Sequence, residues 1–152
     1  MKDSPYFAQA QLMLRVMPHV AAEECFALKG GTAINLFVRD MPRLSVDIDL
    51  TYLPIDEPRP VALQNISAAL DRITDVIGRS IQGAKVQQAR AKDPDRITKL
   101  VVSVGRTRIK VEPNEVIRGA VYPVEERELT PPTKSARPSS CISPVTTDRL
   151  TN

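Results

Sequence analysis

Leu28-Lys29-Gly30-Gly31-Thr32-Ala33, followed a short way on by Ser45-Val46-Asp47-Ile48-Asp49-Leu50, is the stretch around which this chain is organised. Alternate side chains of a strand share a face, so Asp47 and Asp49 point one way while Val46, Ile48 and Leu50 turn into a core. Two ionised carboxylates side by side repel, and a pair held in this way calls for a cation. Magnesium suits the donors, since it takes one or two carboxylates together with water and substrate phosphates. The Gly30-Gly31-Thr32 step supplies the complementary half. Two residues without Cβ let backbone approach a triphosphate, and the N–H groups opening the next helix face it.

Working outward, Cys25-Phe26-Ala27-Leu28 reads as a short buried strand that delivers the chain to Lys29. Thr32 to about Arg39 reads as a two-turn helix, and Met41 to Leu44 as the loop feeding the acidic strand at about 45–52. Upstream, Ser4-Pro5 opens a helical pattern over 4–24 that Pro18 is expected to break or kink near Met17. Downstream, three prolines between Pro54 and Pro60 end the acidic strand. Leu63, Ile66, Leu70, Ile73 and Ile77 then step by three and four, the mark of an amphipathic helix over 61–79 whose stripe is core.

Residues 83–112 read as three strands, at about 83–90, 96–104 and 107–112, the last two joined by a Gly105-Arg106 turn. Here the basic residues gather: Lys85, Arg90, Lys92, Arg96, Lys99, Arg106, Arg108 and Lys110 stand against Asp93 and Asp95. On the last strand Ile109 and Val111 alternate with Arg108, Lys110 and Glu112, which puts an acid at the end of a row of cations. Half-buried strands carry charge outward in any fold, and that reading stands beside one in which the cations meet phosphate. After about Thr130 the chain turns to Pro, Ser and Thr without an apolar period, so 131–152 reads as disordered or loosely draped.

The bulk properties narrow the function. At 152 residues the chain is sized for one domain, and 42% hydrophobic with 26% charged residues is ordinary for a globular protein. No targeting segment or membrane-length apolar run is visible, which makes a cytoplasmic address the expectation. Cys25 and Cys141 lie far apart and His19 has no companion at ligand spacing, so neither a disulfide framework, nor a zinc site, nor histidine chemistry is suggested. A net charge of +3 is too mild to identify a nucleic-acid partner.

The order strand, Gly-Gly-Thr, helix, short loop and Asp-x-Asp strand resembles the nucleotidyltransferase fold of the DNA polymerase β type. The wording Leu28-Lys29-Gly30-Gly31-Thr32-Ala33 and Arg43-Leu44-Ser45-Val46-Asp47-Ile48-Asp49-Leu50 is similar to its AbiEii branch, which includes the MenT-type toxins of bacterial toxin–antitoxin systems. That resemblance implies an α/β (α+β) core over 1–130: a mixed, mainly antiparallel sheet flanked by helices. It implies a third carboxylate on a strand beside the acidic one, for which Glu112 in Ile109-Lys110-Val111-Glu112 is the candidate and Glu115 the fallback. Asp47, Asp49 and Glu112 would be the catalytic and magnesium-binding set. Lys29, Gly30, Gly31, Thr32, Arg43, Ser45 and Lys110 would surround the nucleotide, with Arg108 a further phosphate contact.

The implied reaction joins a nucleoside monophosphate from an NTP to a hydroxyl of RNA, such as a tRNA 3′ end, or of a protein. A cognate antitoxin is the implied partner, acting directly or by phosphorylation near the site, where Thr32 and Ser45 are candidate positions. The family continues into a helical C-terminal half that nothing in 131–152 matches, so a shortened member is expected. The alternatives are a catalytically impaired remnant that binds nucleotide or a partner, and a plain nucleic-acid-binding module.

Overall fold

A computed structural model of the chain describes residues 5–29, 47–92 and 95–119. Its elements run α1 (Pro5–Ala21), β1 (Phe26–Lys29), β2 (Asp47–Tyr52), α2 (Arg59–Ser80), β3 (Ala84–Lys92), β4 (Asp95–Val104) and β5 (Thr107–Arg118). The expected helix after Thr32 and the stretch 131–152 lie outside the described residues, as do Gly30, Gly31, Arg43 and Ser45.

The five strands form one sheet in the order β1-β2-β5-β4-β3. Among the described strands only β2 and β5 pair in parallel, and the other pairings are antiparallel. The expected mixed, mainly antiparallel sheet is therefore present, with α1 and α2 packed on one of its faces. Ile66, Leu70, Ile73 and Ile77 of the helical stripe are buried there with Ala62 and Ala69. Met13, Met17 and Val20 of α1 join the same core, closed from the sheet side by Phe26, Ile48, Leu50, Tyr52, Leu100, Val102, Ile109 and Val111. Phe26 and Tyr52 meet edge to face at 6.0 Å between ring centres. The Tyr52 hydroxyl leaves the core by donating to Glu57 Oε2 at 2.7 Å, and Asn65 Nδ2 donates to the same oxygen. One bidentate pair, Arg72 to Glu23 at 2.9 Å for both bonds, straps α2 to the approach of β1.

Three local expectations are corrected. First, α1 is not broken at Met17 but runs through Pro18 to Ala21. Pro18 sits in the last turn on the solvent side, and its carbonyl still accepts from Ala22 N at 3.1 Å, so the missing N–H interrupts a ladder that is already ending. Second, α2 starts at Arg59 with Pro60 in its first turn, where a proline forfeits no helical bond. Third, β5 continues past 112 to Arg118. Pro113 lies beyond the β4 pairing, which ends at Leu100–Val111, so it deprives no β4 carbonyl of a donor.

Two turns match their residues. Gly105 takes φ +60 in the two-residue β4–β5 hairpin, a sign of φ that most side chains resist. Further on, the β2–β5 register jumps from Thr51–Asn114 to Tyr52–Arg118, so Glu115, Val116 and Ile117 are looped out of the ladder. Asn114 Oδ1 closes that bulge by accepting from the N–H groups of Val116 and Ile117, both at 2.9 Å.

Because Leu100 is fully buried in the centre of the sheet, Leu100→Ala is expected to cost about 2–5 kcal/mol in urea unfolding. Exposed Gln64→Ala should stay within about 0.5 kcal/mol of the parent.

Candidate active site

The alternation that buries Ile48, Leu50, Ile109 and Val111 turns Asp47, Asp49, Arg108, Lys110 and Glu112 to the opposite face of the sheet. Among the described residues no helix covers that face. In the parallel β2–β5 pairing Asp49 stands opposite Glu112, and Asp47 opposite Lys110. In the antiparallel β1–β2 pairing Lys29 stands opposite Asp49. A lysine, an aspartate and a glutamate from three parts of the sequence thus lie in one row across three adjacent strands.

The row opens into a cleft of about 500 Å³ lined by Lys29, Asp49, Thr98, Lys99, Glu112, Pro113, Asn114 and Glu115, with Leu50 at its floor. The Asp49 carboxyl is raised above the usual carboxylate range, first by burial, then by the neighbouring charges of Asp47 and Glu112, with Lys29 opposing. At Asp49 itself the neighbouring acids outweigh Lys29. All three acids offer hard oxygen donors of the kind magnesium takes. As placed they are neighbours rather than a closed cage: among the described residues no group of three or more His, Cys, Asp or Glu side chains is set to hold a metal ion.

Of the two candidates for third carboxylate, Glu112 is the one opposite Asp49. Glu115 lines the same cleft from the bulge but is engaged by Arg96 Nη2 at 3.0 Å, in a pair largely withdrawn from solvent. Its backbone carbonyl accepts from Arg59 Nη1 at 3.3 Å. Arg96 thereby leaves the set of free cations counted along 83–112, and Arg90, paired with Asp95 at 3.2 Å, leaves it too. Lys110 sits beside Asp47 on the site's face, and Arg108 lies two residues before it on the same strand face. Cys25 is no nucleophile: burial, with Glu23 adding to it, pushes its thiol up to about 11.

Sequence reasoning missed Lys99 and Asn114 as site residues. Lys99 faces the cleft by alternation with buried Leu100 and Val102, and the bulge just before it, where Ala89 pairs with Lys99 and Arg90 with Ile97 and Thr98 is extra, returns Ile97 to the core. A bulge of this kind has no reliable composition signal. Asn114 was readable in part, since Pro-Asn is turn chemistry.

The family model for the nucleotidyl transferase AbiEii toxin of type IV toxin–antitoxin systems matches residues 11–146. No curated protein and no solved structure matches the chain.

A raised carboxyl in the folded state means that the fold binds the Asp49 proton more tightly than the unfolded chain does. Its contribution to stability is therefore greatest at low pH and is lost as pH rises through the folded value. Asp49→Asn should consequently raise the urea midpoint at pH 7.5 in the absence of divalent cations. The gain should shrink as pH approaches about 4, the range of an unperturbed aspartate.

Proposed function

The chain belongs to the AbiEii nucleotidyl transferase toxin family of type IV toxin–antitoxin systems, and we propose that it transfers a nucleoside monophosphate from a nucleoside triphosphate to a hydroxyl group of RNA. The observation that carries this reading is the row Lys29–Asp49–Glu112, which gathers a cation and two carboxylates at the mouth of one cleft. Asp47, Asp49 and Glu112 would hold divalent cations, and their oxygen-only donor set and the mutual repulsion at Asp49 fit such ions. Bound there, the cations would supply charge neutralisation at the entering and leaving oxygens of an in-line displacement.

The remaining roles belong to the chain itself. Gly30, Gly31 and Thr32 follow directly on Lys29 and are assigned to the triphosphate, with Arg43 and Ser45 on the approach to the acidic strand. Lys29 stands beside Asp49, where its ammonium would pair with a β- or γ-phosphate. Lys110 stands opposite Asp47 on the same face of the sheet. The acceptor hydroxyl oxygen forms its bond to the α-phosphorus as the bond to the pyrophosphate oxygen breaks. Pyrophosphate departs and the hydroxyl proton goes to water at the open side of the cleft. Buried apolar residues under the row, Ile48, Leu50 and Val111, keep the strands rigid beneath the reacting groups. An antitoxin is the partner that membership of the family implies.

Incubation with each radiolabelled nucleoside triphosphate, magnesium and total tRNA tests the reading. Label should pass to RNA, and Asp47→Ala and Asp49→Ala should each lower the rate on the order of 10²-fold or more, the scale for losing one group that stabilises transition-state charge. Transfer undiminished in both variants would refute the assignment of the acids. Triphosphate binding without transfer by the parent chain would instead favour a nucleotide-binding remnant.

A further inference from the structure

The row across the sheet has a fourth member. The β4–β5 ladder ends at Leu100–Val111, and the next residue on each strand, Lys99 on β4 and Glu112 on β5, reaches the cleft. Lys29, Asp49, Glu112 and Lys99 then follow one another across β1, β2, β5 and β4, and all four line the cleft. Charges alternate as cation, acid, acid, cation. With strands about 4.8 Å apart, the two lysines stand roughly 14 Å apart at the backbone, with the acid pair between them.

We propose that Lys99 binds a backbone phosphate of the acceptor RNA, and that Lys29 and Lys99 mark the donor and acceptor ends of the cleft. This assignment rests on the transferase reading above. An in-line displacement sets the leaving pyrophosphate and the entering hydroxyl on opposite sides of the α-phosphorus. Lys29 precedes Gly30 and Gly31 and so belongs to the pyrophosphate end. The acceptor therefore enters from the β5–β4 side, where Lys99 is the cation within the cleft.

The charge on the surface beyond agrees. On the same face the next rows of the sheet carry Lys110 on β5, then Lys85 on β3 and Arg108 on β5, joined through the Lys85–Ser103–Arg108 register. Among the described residues Lys85, Lys99, Arg108 and Lys110 enter no ion pair. Unpaired cations at strand spacing on an uncovered face suit a polyphosphate backbone, which gains by releasing its condensed counterions. Asp47 and Asp49 lie on β2 instead, so the basic path of β5, β4 and β3 approaches the reacting centre from one side.

Phosphate at Lys99 could come from RNA or from the triphosphate, and two binding measurements separate them. One follows total tRNA by fluorescence anisotropy at several salt concentrations without magnesium; the other follows radiolabelled triphosphates with magnesium by equilibrium dialysis. Lys99→Met should weaken tRNA binding and reduce the slope of log K against log salt by about 0.7–0.9, the loss of one phosphate contact, with triphosphate affinity within twofold of the parent. Lys99→Arg should restore the slope. Lys29→Met should do the converse, lowering triphosphate affinity and sparing tRNA. Thermal melting verifies the fold of each variant, and Lys99→Gln replaces Lys99→Met if the latter does not fold. An unchanged slope in Lys99→Met, lowered triphosphate affinity in that variant, failure of Lys99→Arg to restore the slope, or no tRNA binding by the parent would overturn the proposal. Normal binding results with no label transfer would sink the transferase reading while leaving the RNA contact standing.

Discussion

The parallel pairing of β2 with β5 is the constraint on which the site depends. It sets Asp49 opposite Glu112 and Asp47 opposite Lys110, and it does so between strands that are remote in sequence. Parallel neighbours need a crossover, and here the chain passes through α2, β3 and β4 before β5 returns beside β2. The crossover helix lies on the same face as α1, which leaves the other face to the charged residues. A slip of one residue would bury Glu112 and expose Val111. Burial of Ile48, Leu50, Ile109 and Val111 fixes that register, so the hydrophobic core determines which carboxylates meet.

Electrostatically the uncovered face is divided. Burial and two neighbouring carboxylates work against ionised Asp49, and Lys29 offsets them only in part. A fold optimised for stability alone would place apolar or neutral residues here; strain of this sort is characteristic of groups arranged for a ligand that brings opposite charge. By contrast Arg96 joins Glu115 through one bond and Arg72 joins Glu23 through two, and both pairs read as struts. The former fastens the bulge of β5 to the start of β4 and so fixes one wall of the cleft.

Local patterns in the sequence were enough for most of the fold. The three- and four-residue spacing from Ile66 to Ile77 marked α2, the alternation around Asp47 and around Lys110 marked two strands with their faces, and Gly105 marked the hairpin. Each of these depends on residues adjacent in the chain. What escaped depends on pairing. The reach of β5 through Pro113 follows from where its pairing with β4 stops, and Ile97 returns to the core because β4 carries one extra residue opposite β3. That Glu112, the candidate read from the sequence, stands opposite Asp49 while Glu115 meets Arg96 likewise depends on pairing, which periodicity does not record. Pro18 misled because its effect depends on distance from the helix end rather than on its presence. Gly30, Gly31, Thr32, Arg43 and Ser45 remain assignments from the motif, lying outside the described residues.

The order of strands also bears on synthesis. A ribosome makes β1 and β2 well before β5, so a growing chain holds Lys29, Asp47 and Asp49 while Glu112 does not yet exist. Non-local pairings close late, after the loop entropy between their strands has been met, and domains complete their folding as units. The full row of charges therefore requires the β4–β5 hairpin to pair with β2, the non-local step. For a member of a toxin family this order means that a growing chain lacks the complete cleft until β5 has been made.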